Sequence, residues 1–195
     1  KGLPYYFYQF VVFLSGGHLF LLICLIMIAG LCFGMGLPTT PSYVILVILA
    51  VPAMIKLGVV PLTAHLLAFW VAVQSNVTPP VALAAIAASA IAKSDPWKTG
   101  WTAAKLASWV YLMPFLFIYT SILNVGWNFN FILTVIDACI ALVAWGAAFQ
   151  GYLFKETAWF ERLGLFAAAL GLLHEGVFTD IAGAAIFALV IVLQK

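Results

Sequence analysis

The sequence predicts an all-α integral membrane fold in which a re-entrant helical hairpin precedes a discontinuous transmembrane helix. Three observations lead there. The first is composition: 66% of the 195 residues are hydrophobic, 7% are charged, and mean hydropathy is +1.19. A soluble domain carries roughly a quarter charged residues, so lipid must be the main solvent of this surface. The second is run length. Several apolar runs stop well short of the roughly 20 residues that cross a bilayer. The third is a pair of helix-breaking motifs inside apolar sequence, Gly34-Met35-Gly36-Leu37-Pro38-Thr39-Thr40-Pro41 and Ser75-Asn76-Val77-Thr78-Pro79-Pro80.

The elements follow in order. Residues 5–14 form a short aromatic-rich stretch suited to an interface, broken by Ser15-Gly16-Gly17-His18. The run 19–33 ends at the first motif, and the run 43–55 stops at Lys56-Leu57-Gly58. Two short arms around a Pro/Gly/Thr tip predict the hairpin. Irregular backbone at membrane depth is tolerated only inside protein or facing a watery cavity. Pro61-Leu62-Thr63-Ala64 marks a helix start. That helix is interrupted at 74–80 and resumes over 81–92. Pro80 lacks a donor N–H, and Pro79 pushes Thr78 out of the helical region.

The segment 93–100 reads as a hydrophilic loop, and 101–123 as a span kinked at Pro114. A second full span covers 131–154, followed by a charged interfacial loop from Lys155 to Arg162. Region 163–194 holds His174, Glu175, Thr179 and Asp180 at its middle and reads either as a helix pair or as one distorted span. Trp97, Trp101 and Trp159 flank the charged loops as interfacial anchors. If the hairpin enters and leaves on one face, Lys93, Lys98, Lys105, Lys155 and Arg162 share the opposite face. These are five of the eight positive residues, which makes that face cytoplasmic. The hairpin then opens outward, to the periplasm.

Several classes of function find no footing. A scattered net charge of +2 offers no stripe for nucleic acid. Cys24, Cys32 and Cys139 lie in apolar runs without metal-type spacing. No Ser/His/Asp, Cys/His, paired-carboxylate or phosphate-loop pattern appears, so the chain is not expected to be an enzyme or to carry a cofactor. His18 and His65 read as loop and interfacial residues. Asp137 and the 174–180 group are the polar residues on which a quinone- or lipid-binding subunit would have to rest, and such a subunit is one alternative. A non-transport scaffold of a larger membrane complex is another.

The two breaks carry the chemistry. Half-helix N-termini suit a carboxylate, and unwound carbonyls and hydroxyls suit a sodium ion. Thr39 and Thr40 lie at the start of the hairpin's second arm. Ser75, Asn76 and Thr78 lie at the helix break. Gly34 and Gly36 permit close backbone approach and positive φ, while Pro38 and Pro79 free carbonyls from the helical ladder. Candidate substrate contacts are therefore Pro38, Thr39, Thr40, Asn76, Thr78 and Pro79. Candidate sodium contacts are Gly34, Gly36, Thr40, Ser75 and Thr78. Each break alone is equally compatible with a kink satisfied by neighbouring helices. Two breaks, both rich in Ser, Thr and Asn, favour a site.

These motifs, with Pro61-Leu62-Thr63-Ala64-His65, Val77-Thr78-Pro79-Pro80-Val81-Ala82-Leu83 and Asp95-Pro96-Trp97-Lys98-Thr99-Gly100-Trp101-Thr102-Ala103, resemble the large membrane subunit of tripartite ATP-independent periplasmic (TRAP) transporters. The resemblance is strongest over residues 17–123 and is closest to the fused-permease branch. It implies an elevator-type secondary transporter of the ion-transporter superfamily, of which this chain holds the second inverted repeat only. Residues 1–123 would form that transport and scaffold region, with a hairpin at about 18–56, a discontinuous helix at about 62–92 and a span at about 100–123. Residues 124–195 would be a C-terminal transmembrane extension. The expected activity is sodium-coupled uptake of an organic acid handed over by a periplasmic binding protein, across a bacterial or archaeal inner membrane. The first hairpin is absent and the chain opens Lys1-Gly2-Leu3-Pro4. The expectation is a fragment or processed subunit that needs the N-terminal part of the permease to transport.

Overall fold

Apolar helices separated by turns bearing proline or glycine build the described chain, apart from one isolated antiparallel bridge between Tyr152 and Glu156. The computed structural model describes residues 2–123, 129–173 and 176–194. The helices are α1 (Leu3–Leu14), α2 (Leu19–Gly34), α3 (Thr39–Leu49), α4 (Val51–Lys56), α5 (Pro61–Gln74), α6 (Leu83–Ala92), α7 (Pro96–Leu106), α8 (Met113–Tyr119), α9 (Phe129–Gln150), α10 (Trp159–Gly171) and α11 (Val177–Gln194). They fall into two compact units, Lys1–Ala104 and Lys105–Lys195.

In the first unit, α2 and α3 form an antiparallel pair. Gly30 faces Leu46, and Gly34 faces Ser42. The second arm begins with α3, whose first turn is Thr39, Thr40 and Pro41. The first backbone N–H groups of a helix have no internal partner, so Pro41 is accommodated there. With α4, which restarts after Ala50 beside Pro52, the arm makes an 18-residue apolar stretch, Thr39–Lys56, long enough to cross a membrane.

Helix α5 runs alongside α2. Gly30 faces Val71 and Gly34 faces Ser75, so position offsets along the two helices stay constant. Gly30 and Gly34 are four residues apart, on one face of α2. A Cβ at Gly34 would collide with the Ser75 side chain, and one at Gly30 with Val71 Cγ1. This is the small-residue packing by which membrane helices approach closely. Around it Leu22, Ile23, Ile26, Leu46, Leu67 and Val71 are buried. A hydrogen bond of 3.1 Å joins Tyr43 Oη to His65 Nδ1 between α3 and α5, which makes His65 a helix-packing residue.

The expected loop at 93–100 shrinks. Asp95 Oδ1 accepts from the Lys98 N–H at 2.8 Å, and Pro96 occupies the first helical position, so α7 starts there. Its polar first turn disguises a helix as a loop. The expected span kinked at Pro114 consists of α7, a 3₁₀ turn at Ser108–Tyr111, and α8, an apolar pair broken between Leu106 and Ser108. The Val110 and Leu112 N–H groups bond three residues back, to Ala107 and Trp109. Pro114 donates no N–H and crowds the carbonyl four residues earlier, so the α-helix cannot run through it.

In the second unit, α9 includes a 20-residue apolar span, Phe131–Gln150. Region 163–194 resolves into a helix pair. Gly164 faces Val190 and Gly171 faces Thr179 and Gly183, so α10 and α11 are antiparallel. Ala144, Ala147, Ala148, Leu165, Ala169 and Val190 form the core, capped by the Trp145, Phe149 and Phe166 rings at 5.2–5.3 Å. The interfacial loop also shortens, because α10 begins at Trp159. Glu161 Oε2 accepts from the Ala158 N–H at 2.9 Å and from Gln194 Nε2 at 2.8 Å. Gln194 Oε1 accepts from the Phe154 N–H at 3.3 Å. Gly151 turns the chain with φ +74, and the Arg162 guanidinium lies against it where a Cβ would sit.

Two predictions follow for the full-length permease in detergent. Gly34→Ala overpacks the α2–α5 contact and destabilises by about 1–3 kcal/mol. Gly146→Ala, in α9 with nothing within 4 Å of its Cβ position, is neutral or gains up to about 1 kcal/mol from helix propensity. Thermal unfolding that ranks the two variants in the opposite order contradicts the packing. The second prediction concerns pH. Donation from Gln194, then from the Ala158 N–H, with Lys155 nearby, holds the Glu161 carboxyl below its ordinary range against the opposing effect of burial. A depressed folded pKa stabilises above the unfolded value of about 4.3 and loses that contribution as pH falls through the folded value. Glu161→Gln should therefore flatten the fall of melting temperature with acidification below about pH 4.3. An unaltered acid limb would show that the carboxylate does not hold the α9–α10–α11 ends together.

Candidate functional site

The break between α5 and α6 spans residues 75–82. Pro79 and Pro80 remove the N–H groups that would reach back to the Ser75 and Asn76 carbonyls. The Asn76 carbonyl is taken instead by the Ala84 N–H at 3.0 Å, which bridges the break. The Pro79–Pro80 peptide is cis. Ala82 enters α6 with φ +41, a left-handed conformation that costs an L-residue roughly 1–2 kcal/mol. Packing holds it there. Ala82 is buried, and Gly100 of α7 lies against Ala82 Cβ and Pro79 Cγ, its own Cβ position 3.7 and 3.6 Å away.

The side chains at the break turn to nearby carbonyls. Thr78 Oγ1 donates to the Gln74 carbonyl and Ser75 Oγ to the Ala72 carbonyl, both at 2.8 Å. A hydroxyl that gives up its one hydrogen in this way keeps only lone pairs to offer. Such oxygens suit a hard cation. Asn76 Nδ2 donates to Thr39 Oγ1 at 3.0 Å, and also lies 3.3 Å from the Ala72 and Val73 carbonyls. The first of these bonds ties the hairpin tip directly to the helix break.

At the tip, Gly36 has φ +78, and the Leu37 N–H bonds to the Gly34 carbonyl at 3.3 Å. The expected residues then divide. Thr39 and Asn76 touch, and Gly34 and Ser75 touch. Thr78 and Pro79 lie half-buried at the break. Pro38, Thr40 and Gly36 are exposed at the tip. Gly34 is the last residue of α2, and its role in the fold is to admit the Ser75 side chain.

Two further residues belong to this neighbourhood. Ser42 and Gln74 are fully buried, and Ser42 Oγ and both amide atoms of Gln74 have no hydrogen-bond partner among the described residues. Sequence reasoning passed over them because burial is not written in a residue's type. The available signal was Gln74's place on the stripe of Leu67 and Val71, at spacings of four and three.

Elsewhere, Asp137 is half-buried on α9. His174 and Glu175 lie outside the described residues. Among the described residues no group of three His, Cys, Asp or Glu side chains could hold a metal ion. The Thr39–Asn76 contact makes a prediction of its own. Thr39→Val and Asn76→Ala should each destabilise the full-length permease, with a coupling of about 1 kcal/mol in the double variant. Strictly additive effects on thermal unfolding would mean the tip and break do not touch.

A family model described as "Tripartite ATP-independent periplasmic transporter, DctM component" matches residues 1–131. No curated protein and no solved structure gives a match. The matched stretch covers about two thirds of the sequence and includes the whole α2–α6 region with both breaks. The chain belongs to the DctM component family of tripartite ATP-independent periplasmic transporters, which are membrane transport permeases and not enzymes.

Proposed function

We propose that this chain is the C-terminal part of a TRAP-type permease, and that its hairpin tip and helix break together bind the ion that drives uptake. The observation that carries this is the 3.0 Å bond from Asn76 Nδ2 to Thr39 Oγ1, which joins the two irregular segments. Sodium is the expected ion, because the groups gathered there are neutral oxygens of hydroxyls and carbonyls. An organic acid is the expected substrate. The first turn of α3 presents Thr39 and Thr40 at a helix N-terminus, whose partial positive charge favours a carboxylate.

In this reading α2–α6 are the second inverted repeat of an elevator-type transporter in a bacterial or archaeal inner membrane. The N-terminal part of the permease supplies the first repeat and the other wall of the site. A periplasmic binding protein delivers the substrate, and a small membrane component accompanies the permease. Coupling needs no direct ion–substrate contact. An ion that binds better when tip and break are together shifts the protein toward that state by its differential affinity alone.

The test is uptake by the full-length permease in liposomes, with the binding protein, over a range of sodium concentrations. Thr78→Val and Asn76→Ala should each raise the sodium needed for half-maximal uptake by about tenfold or abolish uptake, corresponding to roughly 1.4 kcal/mol or more of lost ion binding. A purely structural scaffold also accommodates the Thr39–Asn76 bond, but it predicts no sodium response. Unchanged sodium dependence in both variants would remove the site assignment.

A further inference from the structure

Helix α1 and the end of α4 border a groove of about 490 Å³, lined by Gln9, Phe10, Val12 and Phe13 of α1 and by Lys56 of α4. That volume lies within the roughly 300–1,000 Å³ of small-molecule sites. Residues 9, 10, 12 and 13 share one side of α1, since positions three and four apart in a helix are neighbours. Phe10 and Phe13 are 61% and 83% exposed. The groove is thus aromatic and apolar, with an amide and an ammonium as its polar groups. Gln9 Nε2 donates to Tyr5 Oη at 3.1 Å. A side-chain amide nitrogen carries two hydrogens, so a second is left for an acceptor in the groove.

Lys56 closes the apolar stretch Thr39–Lys56 at the open end of the hairpin. A lysine in that position lays its stem along apolar surface and holds its ammonium at headgroup depth. No Asp or Glu precedes Asp95 in the sequence, and the Asp95 side chain caps α7. Helices α1–α6 therefore offer Lys56 no carboxylate. The geometry points to this groove as the binding site of one anionic phospholipid. Its phosphate would lie against the Lys56 ammonium, an ester carbonyl below it would accept from the Gln9 amide, and an acyl chain would cover Phe10, Val12 and Phe13. Apolar protein laid over the same rings would bury the Lys56 charge, which is costly without a partner. A lipid covers the rings and supplies the countercharge in one molecule. Bound there, it would fasten α1 to the end of the second hairpin arm, whether or not an ion occupies the helix break.

The test is native mass spectrometry of the purified full-length permease, titrated in detergent with dioleoylphosphatidylglycerol, dioleoylphosphatidylcholine or inorganic phosphate. The anionic lipid should bind more tightly than the zwitterionic one. Lys56→Gln should weaken binding of the anionic lipid by about fivefold, the effect of one basic residue beside an anionic headgroup, and Lys56→Arg should retain it. Phe13→Ala should weaken binding of both lipids by roughly threefold or more. Lys56 and Phe13 are both exposed, so neither variant disturbs the core. Lys98→Gln, an exposed lysine of α7, should leave the affinity unchanged. An equal loss in Lys98→Gln and Lys56→Gln would mean diffuse attraction and overturn the proposal. Displacement of the lipid by equimolar inorganic phosphate would mean a phosphate site rather than a lipid site and overturn it too. Wild-type affinity in both Lys56→Gln and Phe13→Ala would show that protein covers the groove, and the proposal would fall.

Discussion

The close approach of α2 to α5 at Gly30 and Gly34 is the constraint on which the rest of the first unit depends. Helices surrounded by lipid gain nothing from hiding apolar surface from one another, so they associate by packing and by hydrogen bonds between them. Glycines four residues apart let Val71 and Ser75 nest against α2 where no side chain could stand. Once that contact is made, the chain around it is placed. The turn after Gly34 brings Thr39 to Asn76, and the antiparallel return of α3 brings Tyr43 to His65. The meeting of tip and break is therefore a consequence of helix packing one turn away, not an independent feature.

That arrangement also explains how broken backbone persists in an apolar protein. Every helix interruption frees carbonyls and N–H groups that lipid cannot satisfy. Here much of that need is met locally: the Asn76 carbonyl by Ala84, the Gln74 carbonyl by Thr78, and the Ala72 carbonyl by Ser75. What these bonds leave over is a group of hydroxyl lone pairs and one buried amide. The polarity that remains is oxygen-rich and uncharged, which suits a small cation. The second unit solves the corresponding problem at its helix ends differently. Glu161 and Gln194 join the start of α10 and the end of α11 to Phe154 in the loop after α9, with charge-assisted and neutral bonds.

Much of the fold was legible because proline and glycine act locally. Gly34 and Gly36 with Pro38, and Pro79 with Pro80, each stop a helix by removing a donor or by permitting a turn, whatever surrounds them. The helix starts at Pro61 and Thr39 were readable for the same reason. The misreadings share a cause. Asp95, Lys98 and Thr99 read as a loop in the sequence because a capped first turn is polar. Residues 159–162 read as a loop because Glu161 and Arg162 are charged, although Glu161 caps α10. The close packing at Gly30 and the burial of Gln74 and Ser42 could not be read along the chain. Both depend on which helices become neighbours, and Gly30 and Val71, which meet, lie far apart in the sequence.

The central claim is that the hairpin tip and the helix break face each other and close on an ion. It is tested most directly by cysteine cross-linking in membranes containing the full-length permease. Thr39→Cys and Asn76→Cys would be combined in a background where Cys24, Cys32 and Cys139 are alanine, and treated with a short bifunctional thiol reagent with and without sodium. The account predicts a cross-link that forms without sodium and faster at high sodium, because the ion favours the state in which tip and break are together. No cross-link in either condition would contradict the claim.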